Sequence, residues 1–168
     1  KGAAVREGIL EAQGELIMFV DSGSCVPLEN ALAGIEMIQS GRCEIAHASR
    51  KRKDSRIICP QPPIRRFLSR LFHGFIILYG VDSALTDTQC GLKIYRKETA
   101  HKLYTKCRTQ GFMFDIEIIL RARKLGYRIQ EFPIEWTCDP DSRLHPILKA
   151  IEVIKELIRI KRIQRKEK

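Results

Sequence analysis

No apolar run in the 168 residues reaches the roughly 18 that a helix needs to cross a bilayer. The longest, Phe67 to Val81, is interrupted by Ser69, Arg70 and His73. No two of the six cysteines have C-x-x-C spacing, and Cys25, Cys43, Cys59, Cys90, Cys107 and Cys138 match no zinc ribbon or finger. In a chain of this length with ordinary apolar content, such cysteines read as reduced cytosolic thiols. The sequence shows no signal-peptide pattern, no internal repeat and no low-complexity segment. Acidic residues are scarce, 20 against 30 basic ones, and the resulting net charge of +10 calls for an anionic partner. A nucleotide, a nucleic acid or a phospholipid surface would each serve. Nucleic acid is the weakest of the three, because the basic groups do not interleave with aromatics and no helix-turn-helix or RNP pattern occurs.

What is present is an alternation of two hydrophobic periods. Helices are expected over Ala3–Gln13, Leu28–Ser40, Arg65–Tyr79, Lys97–Cys107, Phe112–Lys124 and Pro146–Ile163, the last running into a basic tail. Between them, Glu15–Val20 and Cys43–Ala48 are short, nearly continuous apolar runs, as expected for strands buried on both faces. Asp87–Tyr95 reads as a turn and a short strand. Tyr127–Trp136 alternates as a strand, and Pro133 in it argues for an edge or a bulge. Arg50 to Pro63, with five basic residues and three prolines, is expected to be the least ordered stretch. Strands alternating with helices predict an α/β domain. In open sheets of that class ligands sit at the carboxyl ends of strands. Here those ends carry Asp21, Ser49-Arg50 and the Asp139–Arg143 segment.

Several side chains at such places could carry chemistry. Asp21, after the first strand, could bind a metal or a ribose hydroxyl, although on spacing alone a turn Asp capping the next helix is the better explanation. Asp87-Thr88-Gln89-Cys90-Gly91 suggests a tight turn placing a carboxylate near a ligand, or an ordinary turn. Asp115 and Glu117 lie in the first turn of a helix, where negative charge favours the helix dipole. Their i, i+2 spacing keeps them off a common face, so at most one can point into a given site. The basic groups of Arg65-Arg66 with Arg70, and of Arg159 to Lys168, accompany large apolar helix faces. Basic amphipathic helices of this kind suit an anionic membrane interface, and core packing under a solvated outer face is the competing reading.

Taken together, seven segments resemble family 2 glycosyltransferases that charge polyprenyl phosphates. They are Lys1-Gly2-Ala3-Ala4-Val5-Arg6, the E-L-I-M-F-V-D strand end, Ala48-Ser49-Arg50, Arg65-Arg66-Phe67-Leu68-Ser69-Arg70, D-T-Q-C-G-L-K-I-Y-R from Asp87, G-F-M-F-D-I-E from Gly111, and Tyr127–Trp136 followed by Ser142-Arg143. The resemblance covers essentially the whole chain, in the family's order and spacing. It implies a GT-A fold, a Rossmann-like nucleotide-sugar domain over residues 1–145, with a basic amphipathic helix and tail over 146–168. It also implies inverting transfer of a hexose from a nucleoside diphosphate to a polyprenyl phosphate, dolichyl or undecaprenyl, by an enzyme peripherally associated with the cytosolic face of a membrane. The acceptor is already ionised at neutral pH and needs no strong general base, whereas the diphosphate leaving group needs positive charge.

By the same resemblance Asp87 and Asp21 are the candidate catalytic carboxylates. Arg50, Arg65 and Arg143 match positions around the phosphates and Ser69 one near the acceptor phosphate, while Gln89, Asp115 and Glu117 are candidate supporting groups. The family implies a divalent cation, Mg²⁺ or Mn²⁺, held by D-x-D. Here only Asp21 of that motif remains, since the second acid is Gly23 and the nearby Gln position is Cys25, poor partners for a hard cation. The chain also opens on Lys1 within an expected helix start, so a preceding half-Rossmann segment is expected. A non-catalytic relative that binds lipid or another subunit is the alternative function.

Overall fold

The computed structural model describes the chain apart from Ser24, Gln61, 138–145 and 167–168; the side chains of Arg65, 146–151 and Lys166 also lie outside the description. Six helices are α1 (Gly2–Glu11), α2 (Ala31–Gln39), α3 (Pro63–Leu78), α4 (Lys97–Lys106), α5 (Phe114–Lys124) and α6 (Pro146–Lys166). Six strands are β1 (Leu16–Val20), β2 (Ile45–Ser49), β3 (Arg56–Cys59), β4 (Leu92–Arg96), β5 (Ile129–Pro133) and β6 (Glu135–Thr137). Most ends lie within two or three residues of those expected, and Gly41 and Gly126, both at positive φ, follow the ends of α2 and α5.

The central sheet runs β1-β4-β2-β5. β4 is antiparallel to both β1 and β2, and β5 is parallel to β2. Three strands therefore point the same way, and the reversed β4 brings its amino end to their carboxyl edge. One face carries Leu92, Ile94, Ala46, Ala48 and Phe132, which pack under α2. Helix α2 approaches closely because Gly34 has no side chain: a Cβ there would lie 2.6 Å from Phe132 Cε1. The other face carries Ile17, Tyr95 and Ile45, covered by α1, α4 and α5. A third apolar cluster joins Phe72 and Ile76 of α3 and Ile116 and Ile119 of α5 to Leu157 and Ile160 of α6.

Three expectations change. Among the described residues β1 ends the strand order rather than being buried on both faces, and Met18 is 41% exposed. The 50–63 stretch contains β3, whose residues are all exposed and which is held by parallel pairing to β6. Tyr127–Trp136 is two strands, not one. β5 ends at Pro133, on the sheet edge as a proline without an N–H requires. After Ile134 the chain leaves β2 and pairs with β3 instead.

His47 lies in the middle of β2, 1% exposed, with neither ring nitrogen hydrogen-bonded and the ring edge-on to Tyr95. Burial, reinforced by Lys93 and opposed by Asp87, holds its pKa well below 6.5. A base so depressed in the folded state stabilises the fold above the unfolded pKa, and that stability is lost as the pH falls below it. Thermal unfolding should therefore show a melting temperature that drops from pH 6.5 to pH 5 more steeply in the wild type than in His47→Leu. Parallel slopes would contradict this.

Candidate active site

The carboxyl edge of the sheet collects Asp21 after β1, Ser49-Arg50 after β2, and the turn that leads through Asp87 to Gly91 before β4. Asp21 donates its backbone N–H to the Gly91 carbonyl at 2.8 Å. Its carboxylate, 42% exposed, pairs with Lys1 Nζ at 2.7 Å. It lies directly against Gly91, where any side chain would overlap it.

The densest part of the edge is built around Asp87, which is buried. Arg50 donates to it through Nε (2.7 Å) and Nη2 (2.8 Å), and again through its backbone N–H (3.0 Å). Burial pushes the Asp87 carboxyl up, but the Arg50 guanidinium outweighs it and holds the group below the ordinary carboxylate range. Arg50 loses hydration in return and is nevertheless raised by the same contacts, so the pair stays ionised. Glu131 of β5 fixes the turn from the other side, accepting from Asp87 N–H and from Thr86 Oγ1, both at 2.7 Å. Thr86 Oγ1 lies 3.0 Å from Ser49 Oγ, which accepts from Lys51 N–H. The outer face of the Arg50 guanidinium lies over Trp136, 5.4 Å from the ring centroid. The guanidinium side chain is a quarter exposed, so the pair is not sealed from solvent.

Helix α3 borders this edge. His73 is lowered by burial and by Lys51, against Glu131 and Asp87, and Lys51 is lowered by desolvation with Arg50 and Arg70 adding to it. Those couplings place the Arg70–His73 turn of α3 within electrostatic reach of Asp87. Ser69 is half-buried one turn before His73, and Gln89 is half-buried in the Asp87–Gly91 turn.

Of the residues singled out by sequence, Arg50 and Asp87 are brought into direct contact, and Asp21 reaches the same turn through Gly91. The side chain of Arg65 and all of Arg143 lie outside the described residues. Glu117 does not reach the edge, whereas Asp115 lies close enough beneath it to feel Lys1 and Asp21. As their spacing required, they face different ways: Asp115 pairs with Lys93 beneath the sheet edge, whereas Glu117 accepts from Thr109 N–H (2.8 Å) and Arg121 Nε (2.8 Å). Glu131, Lys93 and Trp136 were not singled out as site residues, although Lys93 lies in the D-T-Q-C-G-L-K-I-Y-R segment and Glu131 and Trp136 in Tyr127–Trp136. Their roles follow from pairings between strands far apart in the chain, which those segments do not state.

No group of three or more His, Cys, Asp or Glu among the described residues could hold a metal ion, and Asp21 is already committed to Lys1. No helix of the described residues is long and apolar enough to cross a membrane.

A mixed α/β sandwich with its polar groups at the carboxyl edge agrees with the Rossmann-like GT-A domain implied by the resemblance. No family model matches the chain. It is homologous along nearly its whole length to named glycosyltransferases. A dolichyl-phosphate beta-glucosyltransferase of Dictyostelium discoideum is 31% identical over 165 residues, 96% of this chain and 50% of that protein. One of Drosophila melanogaster is 32% identical over 187 residues, covering 100% of this chain and 56% of the relative. Glycosyltransferase AglD of Haloferax volcanii is 24% identical over 159 residues, 95% of this chain and 25% of the relative. The chain spans about half the length of the dolichyl-phosphate beta-glucosyltransferases it matches.

The contact between Asp21 and Gly91 gives a direct test of the edge. Gly91→Ala should force Asp21 away from the turn and cost about 1–3 kcal/mol of stability by overpacking. Denaturant unfolding of this variant at wild-type stability would contradict the packing.

Proposed function

We propose that the protein transfers a hexose, glucose in the first instance, from a nucleoside-diphosphate sugar to a polyprenyl phosphate of the dolichyl type. The observation that carries this is the sequence relation to dolichyl-phosphate beta-glucosyltransferases over 96% of the chain. The geometry supplies a chemical rationale. An ionised phosphate attacks the anomeric carbon without a general base, while charge grows on the departing diphosphate. Arg50, ionised and locked in place by Asp87, supplies positive charge for that diphosphate; Lys51 adds to it, and Arg65 and Arg143 are assigned to the same phosphates. Asp87, held ionised by Arg50, accepts hydrogen bonds from the sugar rather than donating a proton. Asp21, its charge offset by Lys1, faces the donor diphosphate.

The acceptor is a lipid, and α3 offers a way to it. Ile64, Phe67, Leu71, Phe75 and Leu78 are exposed along one flank, while the opposite flank packs into the core through Phe72 and Ile76. Ile154 and Ile158 of α6 are also exposed, among Lys155, Arg159, Lys161 and Arg162. An apolar stripe beside basic groups suits an anionic membrane surface. Together with Ser69 and Arg70 on the same helix, it would deliver a lipid phosphate to the edge that carries Asp87. The cytosolic face is the one that the family resemblance implies, and the reading of the cysteines as reduced thiols agrees with it.

One assay tests both parts. The full protein is incubated with UDP-glucose or GDP-mannose, with and without Mn²⁺, and with dolichyl phosphate in anionic vesicles or a short polyprenyl phosphate in detergent. Glucosyl transfer to both acceptors is expected. In Phe67→Asp/Leu71→Asp, transfer in vesicles should fall at least tenfold while transfer in detergent is kept. Absence of nucleoside diphosphate release under every condition overturns the catalytic reading. If the lipid still binds, a non-catalytic module is favoured, the role that Gly23 in place of the second acid also suits.

A further inference from the structure

Lys93 is 1% exposed, and it sits on β4 in a polar row that crosses the sheet beneath the candidate site. Its registered neighbours are Phe19 on β1 and His47 on β2, and His47 is in turn registered with Glu131 on β5. Its ammonium pairs with Asp115 Oδ1 at 2.8 Å and donates to the Cys90 carbonyl at 2.7 Å. Asp115 is 4% exposed, and burial pushes its carboxyl up despite the pull of Lys93. Two charges taken out of water in this way contribute little net stability and can be less favourable than apolar side chains of the same volume. Such a pair needs another reason to be there, and the position of Cys90 supplies it.

The five residues from Asp87 to Gly91 carry one candidate carboxylate at their start and touch the other, Asp21, at their end. The upstream end is clamped by Arg50 and Glu131. At the downstream end the backbone contact of Gly91 with Asp21 is supplemented by one buried side chain among the described residues, Lys93, through the Cys90 carbonyl. We infer that Lys93, oriented by Asp115, is a positioning residue that fixes the Asp87–Gly91 turn so that Asp87 and Asp21 face the donor together. The inference rests on the proposed transfer reaction for its use, though not for its geometry. Neither residue touches substrate. They act through the turn, from the side of the sheet away from solvent.

The test is a variant that removes both charges, Lys93→Met/Asp115→Leu, in the full protein, beside Lys93→Met alone. The single variant leaves a carboxyl buried without its partner and is expected to lose stability. The double variant is expected to melt within a few degrees of wild type, so folding and positioning separate. Hydrogen exchange of amides in the 87–91 segment should quicken at least tenfold in the double variant, with β2 and α4 unchanged. The dissociation constant for UDP-glucose, read by calorimetry, should rise about tenfold, which loss of folded fraction alone would not produce. Wild-type exchange in the segment overturns the inference. Faster exchange with an unchanged UDP-glucose constant overturns its link to donor binding. If wild type itself neither binds nor transfers, the proposed function fails, and exchange alone then decides whether Lys93 holds the turn. Should the double variant not fold, Asp115→Asn is read in the same way, with a smaller rise expected.

Discussion

The ion pair between Arg50 and Asp87 is the contact on which the candidate site depends. It joins the end of β2 to the turn entering β4, two segments separated by 37 residues that carry the two most densely bonded groups of the sheet edge. A bidentate guanidinium–carboxylate pair fixes direction as well as distance. The pair therefore holds Asp87 and the Arg50 guanidinium in one relative orientation. Trp136, brought under the guanidinium by the switch of the chain from β5 to β6, closes the third side. The mixed sheet makes this possible. With β4 reversed between β1 and β2, a loop entering a strand meets two loops leaving strands, so Asp21 and Asp87 are both carried to the same edge.

Beneath that edge the sheet is not uniformly apolar. The row containing Lys93, His47 and Glu131 puts polar atoms where the rows on either side are, apart from Gln130, aliphatic or aromatic. Glu131 is satisfied by the turn above it, Lys93 by Asp115 and Cys90, and His47 by nothing. Unsatisfied or charged groups in a core lower stability, so their placement directly below the turn with Asp87 ties the cost to the site rather than to the fold. Away from this row the domain is built from ordinary means: two apolar sheet faces, each under helices, with a third cluster joining α3, α5 and α6.

Much of the architecture was legible in local pattern. The apolar run ending at Val20, the buried run at Ile45–Ser49, the Asp87 turn and the proline at the end of β5 each appear where spacing and turn chemistry put them. Asp115 and Glu117 diverge as their i, i+2 spacing demands. What local pattern did not reveal was pairing. Met18 is exposed on β1, which ends the strand order among the described residues, and strand order is not read from a single run. The β3 strand is polar and exposed, and it becomes a strand only through β6, 79 residues further along at Arg56–Glu135. Glu131 looks like one more polar residue in an alternating strand until β5 is registered against β2. The same limit applies to the site. Arg50 and Asp87 were each marked, yet nothing in either motif states that one holds the other.

The most direct measurement is a double-mutant cycle on this pair, using equilibrium unfolding of wild type, Arg50→Ala, Asp87→Ala and the double variant. If the pair fixes the turn to the strand end, the coupling free energy should be about 2 kcal/mol, well inside the range for residues sharing a buried network. Each single substitution should cost about 3 kcal/mol by leaving its partner's charge uncompensated. A coupling below about 0.5 kcal/mol would mean that Arg50 and Asp87 are held independently, and the site would then have to be built from some other contact.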